Sequence, residues 1–190
     1  MRKIVAVVGD ACIEENGLKY KLAYETGKML VDNGFRVQTG GMGGVMEAVF
    51  KGAKSSEKYQ EGDTIALLPT FDIQHANKYA DIIIPTGIDV MRNAIVANAS
   101  AVIAIGGGAG TLSEMAFAWT LKRLLIAYSN VDGWSSKLAG TCIDHKTRYD
   151  FPDKVWDITT PEEGAKILLE KINLYTDYHK GIEFMKKVKN

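Results

Sequence analysis

The residues best suited to chemistry in this chain form two glycine-rich stretches. The first runs Gly106, Gly107, Gly108, Ala109, Gly110, Thr111, Leu112, Ser113, Glu114. It follows the apolar run 101–105 and leads into a helical pattern over 115–123, so a buried strand ends in glycines that open a helix. Glycine lets the backbone turn sharply and lets a ligand approach bare N–H groups. A helix start adds unpaired N–H donors and the positive end of the macrodipole, which together suit a phosphate or carboxylate. The second stretch repeats this context. The strand pattern 35–39 is followed by Gly40, Gly41, Met42, Gly43, Gly44 and a helical run over 45–53. One such cluster is what any tight strand-to-helix turn needs. Two in one small domain point to a phosphorylated ligand of nucleotide type. Thr111 can donate its hydroxyl to a phosphate, and Gly9 and Asp10, after the first strand, belong to the rim of the same region.

Other chemistry is poorly served. Cys12 and Cys142 form no CxxC pair, and His75, His145 and His179 lack metal-ligand spacing, so neither a redox motif nor a metal site is expected. No cofactor is expected as a resident group. Lys plus Arg equals Asp plus Glu at 23 each, so no overall field favours nucleic acid or an acidic membrane. Apolar runs reach about half a dozen residues against the ~20 of a membrane span. The short run after Met1, Arg2 and Lys3 is broken by Gly9 and Asp10, and reads as a first strand rather than a leader. A cytoplasmic protein with reduced thiols is expected.

The elements that must position these residues alternate along the chain. Strands are predicted over 3–8, 35–39, 64–68, 82–84, 101–105, 124–128 and 155–158, with helices over 18–32, 45–54, 89–99 and 112–122. Pro161 opens a last helix with Thr160 as its N-cap, and 176–190 reads as a solvated helical tail. The strands are continuous apolar runs, which means both sheet faces are covered. The fold class is therefore α/β, a Rossmann-like doubly wound parallel sheet in three layers, with 1–190 as a single domain of 190 residues. Ligands of such sheets lie beyond the strand C-termini, where all three glycine-bearing loops fall. The glycines are too dense for the dinucleotide fingerprint, which argues against a dehydrogenase.

Gly40 to Met46 and Gly106 to Glu114 together resemble the LONELY GUY (LOG) superfamily, also labelled as lysine decarboxylases. The likeness spans roughly residues 3–130 and includes the strand 64–68 with its closing Pro69. The resemblance implies a nucleoside 5′-monophosphate phosphoribohydrolase that releases base and ribose 5-phosphate, with Arg92 and Glu114 as the catalytic pair. It also implies a homodimer or larger homo-oligomer packed through the helices 89–99 and 112–122. Two departures point elsewhere: Asn93 stands where the enzymes carry lysine, and Gly106 where they carry proline. Both are similar to the branch of molybdenum-cofactor carriers, which implies binding without hydrolysis. Lysine decarboxylation finds no lysine in a Schiff-base context.

Each member of the pair also has a purely structural role open to it. Thr111 and Glu114 have the spacing of a capping box, in which the glutamate serves the helix start. Asp89 precedes Arg92 by three residues and could pair with it on a helix surface.

Overall fold

The computed structural model describes residues 1–178 apart from Thr147. Seven parallel strands form one sheet in the order β4-β3-β2-β1-β5-β6-β7. These are β1 (Ile4–Gly9), β2 (Arg36–Thr39), β3 (Thr64–Leu68), β4 (Ile82–Pro85), β5 (Ala101–Ile105), β6 (Leu124–Tyr128) and β7 (Trp156–Ile158). Every residue of β3, β5 and β6 is buried, as continuous apolar runs demand of strands covered on both faces. The alternation of β1 shows the two layers. Val5 and Val7 belong to a core shared with α1 (Leu18–Asp32), α2 (Val45–Lys54) and α6 (Pro161–Tyr178). Ala6 and Val8 face the other side, with α3 (Asn93–Ala97) and α4 (Ala109–Thr120). The short α5 (Trp134–Leu138) lies beside α4 on that side, Trp134 and Leu138 packing on the same core.

Chain direction across the sheet reverses between β1 and β5. β1 leads outward through β2 and β3 to β4, and β5 leads the other way. The register aligns Gly9 with Ile105, so the loops after β1 and β5 leave the sheet side by side. The Rossmann-like fold is thus the one expected, with α1, α2, β3, β5 and β6 at the anticipated boundaries.

Two of the expected helices differ in form, and α5 is not among the predicted elements. The region 89–99 is a 3-10 turn over Asp89–Arg92 followed by a single short α-helix, Asn93–Ala97. Its side chains Val90, Met91 and Ile95 are exposed, while Arg92, Asn93, Val96 and Ala97 are buried. Helix α4 starts at Ala109, three residues earlier than the pattern 112–122 suggests, because Gly108 already serves as its N-cap. The last helix does begin at Pro161, with the Thr160 hydroxyl accepting from the Glu163 amide at 3.4 Å. It extends to Tyr178, and residues 179–190, with His179 and most of the expected tail, lie outside the described residues.

Candidate functional site at the β1/β5 switch

A crevice of about 320 Å³ opens at the C-terminal ends of β1, β2 and β5. That volume suits a ligand of mononucleotide size. Its floor is an ion pair. Arg92, at the end of the 3-10 turn, donates from Nη1 to Glu114 Oε1 of α4 at 2.9 Å, and both side chains are only 8% exposed. The guanidinium lies against Gly40, where a Cβ would stand 2.5 Å from Nη2 and 2.8 Å from Nη1. Arg92 Nε is buried without a hydrogen-bond partner. Burial pushes the Glu114 carboxyl up to about 7, against the opposing pull of Arg92.

This geometry removes the two structural roles left open by the sequence. Glu114 does not cap its helix: it lies a turn and a half inside α4, no side chain caps that helix, and its carboxylate is committed to Arg92. Nor does Asp89 pair with Arg92. Asp89 has a left-handed backbone (φ 51°) and stands exposed on the crevice rim.

The two glycine clusters divide into residues that face the crevice and residues that shape it. Gly9, Asp10, Gly40, Gly108, Gly110 and Thr111 line the cavity with Arg92 and Glu114. At Gly108 and Gly110 a Cβ would meet nothing within 4 Å, so the helix start is open. Leu112 is the first residue of α4 whose N–H is taken by the backbone, bonding Gly108 O at 3.0 Å. The three amides before it have no helical acceptor and are available to an anion.

Gly41, Gly43, Gly44, Gly106 and Gly107 do not line the cavity. The amides of the last two are already used. The Gly106 N–H donates to Ser135 Oγ (2.8 Å), which itself donates to Tyr128 O, and the Gly107 N–H donates to Asp10 Oδ2 (2.9 Å). Gly107 has φ 94° and lies so close to Thr111 that a Cβ would sit 2.2 Å from its Oγ1. Gly44 has φ 66°, and a Cβ there would strike Asp10 O at 2.3 Å. Gly41 exposes its carbonyl to Asn77, which donates from both its amide and its side chain.

Several residues escape sequence reasoning. Lys19 donates to Asp10 Oδ2 at 2.7 Å and pairs with Asp132 at 3.1 Å, fixing the loop after β1. Asn93 donates to Ser113 Oγ at 2.8 Å and ties the start of α3 to α4. Nothing in the spacing of Lys19 or Ser135 signals these contacts. Met42 and Met46, which supply an apolar wall, sit inside the first glycine stretch and were available to inspection. Trp119 is buried under the Arg148 guanidinium, and Trp134 opens α5 without lining the crevice. Both cysteines are free and exposed. Among the described residues no group of three or more His, Cys, Asp or Glu side chains could hold a metal ion, and no helix is long and apolar enough to cross a membrane.

A parallel sheet with a glycine-walled crevice at its switch point defines a Rossmann-like α/β protein. Residues 2–163 match the SLOG cluster4 family, and the chain belongs to it. An uncharacterized protein of Archaeoglobus fulgidus is 41% identical over 116 residues, 60% of this chain and 72% of that one. The molybdenum cofactor binding protein of Rippkaea orientalis is 30% identical with a TM-score of 0.74, over 90% of this chain and 98% of its own. The molybdenum cofactor carrier protein of Chlamydomonas reinhardtii is 32% identical with a TM-score of 0.57, over 67% of this chain and 77% of its own. These place the chain with the carrier-like branch of the superfamily. DNA processing protein A of Helicobacter pylori, described as binding single-stranded DNA, is 16% identical with a TM-score of 0.60 and shares the fold alone.

Proposed function

We propose that the crevice binds a phosphorylated ligand of nucleotide type and holds it without consuming it, as a carrier does. The observation that carries this reading is the floor of the site. A guanidinium with a buried, unpartnered Nε lies in the same cavity as an unobstructed helix start that no side chain caps. Both groups favour a phosphate, one by charge and one by oriented amides. A molybdopterin-type cofactor is within this range, because its phosphate would find the amides of 109–111 and Arg92 in one cavity. Such a cofactor brings its own redox chemistry; the chain binds, orients and shelters it.

Thermal shift with AMP, GMP and ribose 5-phosphate is expected to show stabilisation that grows with ligand concentration. Gly108→Leu points a side chain into open space at the helix start, so the variant should fold normally and lose that stabilisation. Equal stabilisation of wild type and variant would place the phosphate elsewhere.

A second reading, hydrolysis of nucleoside 5′-monophosphates, is favoured by one observation. A carboxyl held near neutrality beside a guanidinium is suited to proton transfer while base leaves C1′ and water adds there. Incubation with nucleoside monophosphates would then release free base, and Glu114→Gln would abolish the release. Tight binding with no base released from any nucleotide decides for the carrier.

A further inference from the structure

The four backbone polar groups of Gly106 and Gly107 are all hydrogen-bonded within the chain. The start of α5 supplies three partners. Ser135 Oγ accepts from the Gly106 amide at 2.8 Å, the Ser135 amide donates to Gly106 O at 3.0 Å, and the Trp134 amide donates to Gly107 O at 2.9 Å. The fourth partner is of a different kind. The Gly107 amide donates to the Asp10 carboxylate, which lines the same cavity as Gly108, Gly110 and Thr111. A carboxylate at this end repels an anion bound at the start of α4. Lys19 answers that charge. Its Nζ lies 2.7 Å from Asp10 Oδ2, the oxygen that also accepts from Gly107, and 3.1 Å from Asp132 Oδ1. The lysine stands in the first turn of α1, where a cation opposes the helix macrodipole, so helix stability does not account for it. Its side chain is 19% exposed and does not line the crevice. A Cβ on Gly106 would strike Asp10 Oδ2 and lie 2.8 Å from Lys19 Cε, so the ion pair packs directly against the glycine loop.

We propose that Lys19 is a positioning residue for the anion site. It cancels the charge of Asp10 and holds that carboxylate on Gly107. The amides of 109–111 then keep one geometry and face a bound phosphate without a competing negative charge. Amides fixed in place lose little further freedom on binding. The assignment rests on the phosphate reading of the start of α4, and adds to it a residue that acts from outside the crevice, through Asp10, without touching the ligand.

The test is calorimetric titration with ribose 5-phosphate, with urea unfolding of each variant as the separate measure of stability. Lys19→Met keeps the apolar stem and removes the charge, and should weaken binding about tenfold. The decisive variant adds Asp10→Asn to Lys19→Met. Its amide oxygen still accepts from Gly107 and carries no charge, so affinity should return to within about threefold of wild type. Asp10→Asn alone leaves Lys19 beside a neutral partner and should bind tighter than wild type. A Lys19→Met protein that binds as tightly as wild type overturns the assignment and leaves the phosphate site standing, even where its stability falls. So does a double variant that binds as weakly as Lys19→Met, since Lys19 would then do more than cancel Asp10. If Lys19→Met fails to fold, Asp10→Asn decides: tighter binding supports the assignment, and equal or weaker binding overturns it. A wild type that binds no ribose 5-phosphate overturns the phosphate reading, and this assignment with it.

Discussion

Glu114 concentrates the energetics of the site in one carboxyl group. Its pKa is raised from 4.5 to about 7, with burial as the main cause. A carboxyl whose folded pKa lies above its unfolded value takes up a proton on folding between the two. Stability should therefore fall as pH rises from about 4.5 to about 7, and the cost is complete above that window. The cost is on the order of 3 kcal/mol. Glu114→Gln keeps an acceptor for Arg92 and removes the titration. Urea unfolding across pH 4.5–8 should show the wild type losing stability relative to the variant as pH rises; parallel curves would mean the carboxyl is not perturbed. Gly40 tests the partner. A methyl group there would lie 2.5 Å from Arg92 Nη2 and 2.8 Å from Met46 Sδ. Gly40→Ala should displace the guanidinium and weaken ligand binding by about tenfold or more, while overpacking costs about 1–3 kcal/mol of stability. Unchanged titration curves for ribose 5-phosphate would show that Arg92 does not touch the phosphate.

Among the elements, those with continuous apolar runs or clear periodicity were legible from sequence, and those shaped by contacts at a distance were not. β5 and β6 read correctly because every residue in them is apolar and buried. The segment 89–99 has helical-looking spacing, but Asp89 with positive φ and the anchoring of its amide on Pro69 O hold it in a tight turn before α3. The spacing of Thr111 and Glu114 satisfied a local rule, yet Gly108 starts the helix and Arg92, 22 residues away, claims the carboxylate. No local pattern reports such a partner. The same blindness covers the α1–α2 contact. Gly27 and Gly52 look like weak helix positions. A Cβ on Gly27 would lie 1.9 Å from Val49 O, and one on Gly52 would lie 1.8 Å from Tyr24 O. The two helices touch backbone to backbone there. Gly27→Ala gains helix propensity but forces the helices apart, so it should lose about 3 kcal/mol or more of stability in denaturant unfolding. An alanine variant as stable as wild type would show that this contact yields readily.

At the scale of the whole molecule, one flank of the sheet is left without a covering layer. β4 ends the sheet, and its Ile82 and Ile84 are 40% and 43% exposed. Phe71, Ile73, Met91 and Ile95 are each at least 45% exposed as well. Exposed apolar side chains of this kind near an edge strand are costly in water, at roughly 25 cal/mol per Å², and invite association. Val90 belongs both to this flank and to the crevice lining, so whatever covers the flank also closes one wall of the site. A second copy of the chain, related by a two-fold axis, would bury the same side chains on both partners at once. Light scattering at micromolar concentration should therefore give a dimer or larger homo-oligomer. Met91→Asp combined with Ile95→Asp alters two exposed positions on either side of Arg92 and Asn93 without entering the crevice lining. The double variant should be monomeric and folded, and it should bind ribose 5-phosphate more weakly because the wall near Val90 is then open to solvent. A wild-type protein that scatters as a monomer would remove the interface. A monomeric variant with undiminished binding would instead keep the interface and separate it from the ligand site.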